Sequence, residues 1–200
     1  MSKYTTVFFD WGGVVADDPG DQFLGILLKR HGATGDQIRE IFETYMYRFM
    51  RGEMTEQEFY AALNQRYGFS IDNSITEEFK EWSGLRANER VLDLINEIKA
   101  RGVKVAILSN VIEPTYNSLE QAGVYERFDQ VIASCKVGYA KPDKEIYETA
   151  LSRLGATAEE SIFIDDRQRN LDPASEMGFT TILGENADQI IKDLKDLIHE

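Results

Sequence analysis

A single cysteine, Cys135, stands in 200 residues, so no intrachain disulfide can form and the fold must rest on its core. Ile132 and Ala133 lie just upstream of it, which predicts a small buried hydrophobe rather than a reactive thiol. The chain has only two histidines, His31 and His199, both in helix-end contexts. Neither has a partner at zinc-ligand spacing, so a zinc site is not expected. No apolar run approaches the roughly 20 residues that a membrane helix needs. The start, Met1-Ser2-Lys3-Tyr4, has no apolar block and no small-residue cleavage site, so a secretory signal is not expected and the expected compartment is the cytoplasm. Basic residues are scarce: 22 Lys and Arg against 35 Asp and Glu give a formal charge of −13. That balance argues against nucleic acid, whose backbone demands clustered cations. It leaves small phosphorylated ligands open, because a few local cations and a metal outweigh a distant negative field.

What is present points to a globular enzyme-sized chain. Hydrophobic residues make up 42% and charged residues 28%, which supports one sizeable core with room for an accessory unit. Five short apolar runs, at 5–9, 103–108, 130–133, 161–164 and 180–183, read as strands. They are almost continuously apolar, as strands covered by helices on both faces are. Asn88 is placed to cap a helix that ends near Gly102. Pro142 is placed to open a helix through Leu154, with Gly155 beyond its end. Strand and helix alternate, so the fold class is α/β, with a Rossmann-like parallel sheet. Between about 21 and 85 the rhythm breaks. Helix patterns occupy 22–31, 36–51, 56–67 and 76–82, and Thr55 with Glu58 and Ser74 with Glu77 have capping-box spacing. Residues 1–16 and 86–200 are therefore expected to form the core, and 17–85 an all-helical insertion after the first strand. There is no internal repeat.

In open parallel sheets, ligands bind at the carboxyl ends of the strands. Asp10 follows the first apolar run, Ser109 and Asn110 the second, and Asp165 and Asp166 the fourth. The third leads through a short loop to Lys141. Taken singly, each has a plain reading: a turn aspartate before Gly12-Gly13, a loop dipeptide, a surface lysine before proline. The adjacent carboxylates are harder to dismiss, because two such charges repel unless a cation joins them. Together the set suits an oxygen-liganded magnesium ion and a phosphoryl group.

These segments resemble the four motifs of the haloacid dehalogenase superfamily. Phe8-Phe9-Asp10-Trp11-Gly12-Gly13-Val14-Val15 resembles the first motif, and Ile107-Leu108-Ser109-Asn110 the second. Gly138-Tyr139-Ala140-Lys141-Pro142-Asp143 is similar to the third. Phe163-Ile164-Asp165-Asp166, with Asn170, Ala174, Gly178 and Thr181, is similar to the fourth. The resemblance implies a helical cap at the insertion and the following roles. Asp10 attacks phosphorus and forms an aspartyl-phosphate. Ser109 and the Asn110 N–H hold phosphoryl oxygens, and Lys141 neutralises charge on the phosphoryl group and on Asp10. Mg2+ is held by the Asp10 carboxylate, the Gly12 carbonyl and Asp166, while Asp165 supports the site through Lys141 or water. The implied partner is a small-molecule phosphate ester, such as a sugar phosphate, and the implied assembly a monomer or homodimer.

One position departs from the phosphatase pattern. Gly12 stands where the resemblance implies a second aspartate that protonates the leaving group. General acid–base help is worth roughly 10²–10⁴-fold. Three expectations follow: a substrate with a good leaving group, a substitute acid such as Asp17, Asp18 or water, or slow turnover with an accumulating phosphoenzyme. Two other functions compete. A 2-haloacid dehalogenase also uses an aspartate nucleophile but has no use for paired carboxylates. A binding or regulatory module that has lost catalysis would fit Gly12 alone. Tyr45, Arg48 and Arg51 are candidates for substrate contact by helix position, against a plain reading as packed or solvated helix residues. Trp11 is expected to pack rather than stack on substrate.

Overall fold

The structure is a computed structural model and describes residues 3–17, 20–72 and 87–199. Five parallel strands form one sheet: β1 (Thr6–Phe9), β2 (Lys104–Ser109), β3 (Gln130–Ala133), β4 (Ser161–Asp165) and β5 (Thr180–Leu183), in the order β3-β2-β1-β4-β5. The apolar runs thus become strands, and two extend one residue further than the sequence predicts, to Ser109 and Asp165. Both faces of the sheet are covered. Val7, Phe9, Val105, Ile107, Ile162 and Ile164 point to one face, against helices α5 (Glu89–Ala100) and α10 (Ala187–His199). Phe8, Ala106, Leu108 and Phe163 point to the other, against α8 (Lys144–Leu154) and α9 (Gln168–Glu176). Period-two alternation with both sets apolar is what a strand buried on two sides requires. The α/β reading of the sequence holds.

The sheet order puts β1 in the middle. The chain leaves β1 for β2 on one side and reaches β4 and β5 on the other. The crevice where the order reverses lies at the carboxyl end of β1, and Asp10 is the first residue past it. Asp10 N–H still bonds to the Ile164 carbonyl at 2.8 Å, so the carboxylate is anchored to β4 as well as β1.

Residues 20–72 contain no strand. Helices α1 (Gly20–Arg30), α2 (Gly35–Ile41), α3 (Tyr47–Met50) and α4 (Glu56–Tyr67) enclose their own apolar cluster of Leu27, Leu28, Ile41, Phe49, Phe59 and Leu63. Thr55 and Glu58 form the expected capping box, and Gly68 closes α4 at φ +73°. The helix predicted over 36–51 is more finely divided. A second capping box, Thr34 with Gln37, starts it, and a π turn at Phe42–Met46 interrupts it. The predicted helix at 76–82 and its Ser74–Glu77 cap lie outside the described residues.

Asn88 caps α5 by accepting from Arg90 N–H, as its position predicts. The start of α8 differs from the reading of the sequence. Asp143 N–H bonds to the Ala140 carbonyl at 2.8 Å, which closes a turn over 140–143. Pro142 lies inside that turn, and the helix begins at Lys144. Two smaller helices complete the core: α6 (Glu113–Gln121) after β2 and α7 (Ser134–Val137) after β3.

Candidate active site

Asp10, Asp165 and Asp166 converge: each offers one carboxylate oxygen, and all three lie within 4.8 Å of one another. Lys141 reaches between Asp10 and Asp165. Its Nζ lies 3.0 Å from Asp10 Oδ1, 2.6 Å from Asp165 Oδ2 and 2.9 Å from the Leu108 carbonyl. An ammonium has three N–H donors, so this lysine is fully engaged. It is 2% exposed, which only such complete pairing permits.

Asp10 and Asp165 are both braced. Trp11 N–H donates to Asp10 Oδ1 at 2.7 Å, and the Ser109 hydroxyl also bonds to Asp10. Asp165 is wholly buried; its Oδ1 accepts from Arg167 N–H at 2.9 Å, and its two oxygens accept from Asn170 Nδ2 at 2.9 and 3.1 Å. Tyr147 in turn donates to the Asn170 carbonyl at 2.7 Å, which ties this bracing to α8. Asp165 thus spends its oxygens on the protein. Asp166 is the more open of the two, at 27% side-chain exposure.

Burial pushes the Asp10 carboxyl up to about 7, with Asp165 adding to the rise and Lys141 pulling against it. Burial depresses the Lys141 ammonium, but Asp10 and Asp165 outweigh it and leave the net shift upward. The site therefore holds more negative charge than one lysine satisfies comfortably. A divalent cation at the cluster would pull Asp10 back down.

Gly13 shows that Asp166 is meant to sit close. At φ +78°, a Cβ on Gly13 would fall 2.5 Å from Asp166 Oδ2. Only glycine allows both that backbone conformation and that approach. Gly12 and Gly13 lie in a tight loop, with Gly13 N–H bonded to the Ala16 carbonyl at 2.7 Å. The first motif thus folds back over the acidic pair.

Among the residues singled out in the sequence, Asp10, Ser109, Lys141, Asp165 and Asp166 come together. Asn110 arrives with them but does more than the sequence reading assigns it. Its side chain accepts from Lys141 N–H at 2.7 Å and donates to the Lys141 carbonyl at 2.8 Å. The dipeptide after β2 thus clamps the backbone of the lysine, a pairing across 31 residues that spacing alone does not reveal. Asn170 and Gly13 are likewise present in the motifs, but their contacts emerge only in three dimensions.

The remaining candidates lie as follows. Trp11 is 8% exposed in the main core cluster. Tyr45 packs edge-on against Tyr67. Arg48 pairs with Glu53 at 3.4 Å. Arg51 bonds to the Gly138 carbonyl at 3.2 Å. Asp17 is exposed, and Asp18 lies outside the described residues. Cys135 is half-buried, and burial pushes its thiol up to about 11. Among the described residues, no helix is long and apolar enough to cross a membrane.

The model of the haloacid dehalogenase-like hydrolase family matches residues 4–178. The chain is similar to the sesquiterpene phosphatase astK of Aspergillus oryzae, at 29% identity over 86% of this chain and 82% of that protein. It is also similar to mouse acyl-CoA dehydrogenase family member 10, at 27% identity over 98% of this chain but only 19% of that protein's length. In three dimensions it resembles a HAD family enzyme of Bacteroides thetaiotaomicron solved with magnesium and inorganic phosphate. The TM-score is 0.71 at 22% identity, covering 92% of this chain and 96% of that one.

Proposed function

The chain belongs to the haloacid dehalogenase-like hydrolases, and from that premise we propose that it is a magnesium-dependent phosphatase of small phosphate esters, with Asp10 as nucleophile. The observation that carries this reading is the cluster of three carboxylates, two of them paired with one fully engaged lysine. The similarity to a phosphatase, and to a fold that holds magnesium with phosphate, supports it.

The donor set fits magnesium: hard oxygen ligands, two of them carboxylates, the more open of which Gly13 lets approach. The Asp10 carboxylate, the Gly12 carbonyl and Asp166 would hold it. Bound there, it would offset negative charge on the phosphoryl oxygens and on Asp10.

The residues of the chain do the rest. Asp10 forms a bond to phosphorus as the ester P–O bond breaks, and the leaving oxygen takes its proton from water. Water then attacks the aspartyl-phosphate, the bond to Asp10 breaks, and inorganic phosphate departs. Ser109 and the Asn110 N–H hold phosphoryl oxygens. Lys141 keeps Asp10 oriented and lowers the charge against which a phosphate must approach. Asp165 fixes Lys141. Phosphoryl transfer asks for this kind of positioning and charge compensation more than for proton traffic.

In this reading the insertion 17–85, helical where it is described over 20–72, serves as a cap for this site. Gly12 supplies no side chain to protonate a leaving group, so the preferred esters are those that leave readily, such as aryl, acyl or sugar 1-phosphates. The paired carboxylates at the end of β4 favour this chemistry over halide displacement, which needs no cation. The test is turnover of p-nitrophenyl phosphate against a simple alkyl phosphate, with magnesium and with EDTA. The expected result is magnesium-dependent hydrolysis that falls steeply for the alkyl ester. Haloacid turnover indifferent to EDTA would overturn the reading.

A further inference from the structure

The helical unit meets the core at the loop that presents Lys141. Tyr47 and Arg51 lie one helical turn apart, on one face. The Tyr47 hydroxyl donates to Asp143 Oδ1 at 2.7 Å and lies 3.2 Å from the Ala140 carbonyl. Arg51 Nε donates to the Gly138 carbonyl at 3.2 Å, and its guanidinium stands 5.6 Å from the centre of the Tyr47 ring. Glu53 holds the same guanidinium at 3.1 Å. Next to it, Gly52 at φ +69° brings the backbone against α7, where a Cβ would fall 2.6 Å from the Cys135 carbonyl.

The acceptors are residues 138, 140 and 143, which flank Lys141 on both sides. From the core, the Asn110 side chain grips the backbone of Lys141 itself. The lysine is therefore gripped at its own backbone by Asn110, bracketed by the Tyr47 and Arg51 contacts to its neighbours, and held at its ammonium by three acceptors. A buried side chain so placed has no slack, so a shift of the 140–143 turn would move the ammonium relative to Asp10. The π turn at Phe42–Met46 directly precedes Tyr47. Such a turn adds a residue and so resets the face that follows it, and it is often found at functional places.

We propose that Tyr47 is a positioning residue for Lys141: its hydroxyl couples docking of the helical unit to the geometry of the 138–143 loop. The kinetic part of the proposal rests on the phosphatase reading, and the structural part does not. Burial and the Asp143 carboxylate push the Tyr47 phenol well above its ordinary range, so it remains a donor throughout the working range of pH.

The test uses the full chain with Tyr47→Phe, which keeps the ring beneath Arg51 and removes only the donor. Amide exchange is followed in 138–143 and, as a control, in strand 104–109. Loss of a hydrogen bond to a charged acceptor corresponds to roughly tenfold or more. Exchange in 138–143 is expected to rise about tenfold with 104–109 unchanged. On p-nitrophenyl phosphate with magnesium, kcat is expected to fall about tenfold with KM near the parent value. Asp143→Asn keeps a neutral acceptor oxygen and is expected to lose less than Tyr47→Phe, whereas Asp143→Ala should lose at least as much. Unchanged exchange in 138–143 overturns the proposal, as does a rise shared equally by the sheet, which would mark a purely structural hydroxyl. Absence of turnover in the parent would refute the phosphatase reading while the exchange comparison still decides this one.

Discussion

Gly13→Ala separates metal holding from folding. Ordinary contact begins at 3.4 Å, and the added methyl would stand 2.5 Å from Asp166 Oδ2, so the carboxylate must retreat by 3.4 − 2.5 = 0.9 Å. Metal ligands tolerate displacements of only about 0.2 Å. Losing even an indirect partner of a metal ligand costs roughly 10–100-fold in affinity, so displacing Asp166 itself should cost at least about 100-fold. The folding cost is small by comparison. A non-glycine residue at this positive φ costs about 1–2 kcal/mol. Stiffening of the unfolded chain returns about 0.4–1 kcal/mol. The net, about 1 kcal/mol, lowers Tm by roughly 2–4 °C in a chain of this size. The assay is a magnesium titration of esterase activity beside calorimetry of the same protein. The expected result is a modest Tm change with magnesium activation shifted by two orders of magnitude or more. A variant that melts a few degrees lower but responds to magnesium like the parent would refute the placement of Asp166 on the metal.

Two further outcomes follow from the same geometry. Lys141→Met leaves Asp10 and Asp165 buried without a countercharge, and breaking a buried pair in this way costs roughly 3–5 kcal/mol. The Asp10 carboxyl, already raised by burial, then loses the lysine that pulls it down, so the native state binds a proton that the unfolded chain does not, and stability falls as pH rises. In urea unfolding with EDTA the deficit should be largest near about pH 7.5 and shrink toward about pH 5.5; a deficit independent of pH would contradict the pairing. Cys135 carries a thiol pushed up to about 11. At about pH 8 its thiolate is scarcer by roughly two orders of magnitude than that of an ordinary cysteine. Iodoacetamide labelling of the native protein should be slower in proportion, and labelling at the rate of a free thiol would contradict the burial.

Much of the site is legible in the sequence because its parts sit at strand ends. Asp10, Ser109 and the Asp165–Asp166 pair each follow an apolar run, and a parallel sheet brings such ends to one edge. The doubly covered sheet is legible for a related reason: a strand buried on both faces must be apolar at every position. What escapes the sequence are pairings between distant residues. The bidentate grip of Asn110 on Lys141 depends on β2 and the 138–143 loop lying side by side. Tyr47 reaching Asp143 spans 96 residues, and its helix carries a π turn that periodicity reads as continuous helix. Pro142 misleads for a local reason: proline suits a first helical turn and a tight turn equally, and the Asp143–Ala140 hydrogen bond selects the second. Gly12 is the converse case. Its departure from the motif is plain in the sequence, and its consequence is chemical rather than architectural.

Turnover by the proposed route leaves Asp10 covalently phosphorylated for part of each cycle. The direct measurement is rapid quenching of the magnesium-loaded protein with an aryl phosphate, followed by intact-mass analysis and peptide mapping of the modified residue. One phosphoryl group per chain is expected, located on Asp10, labile to hydroxylamine and absent from Asp10→Asn. Steady hydrolysis by Asp10→Asn at the parent rate, or a phosphoryl group found on another residue, would contradict it.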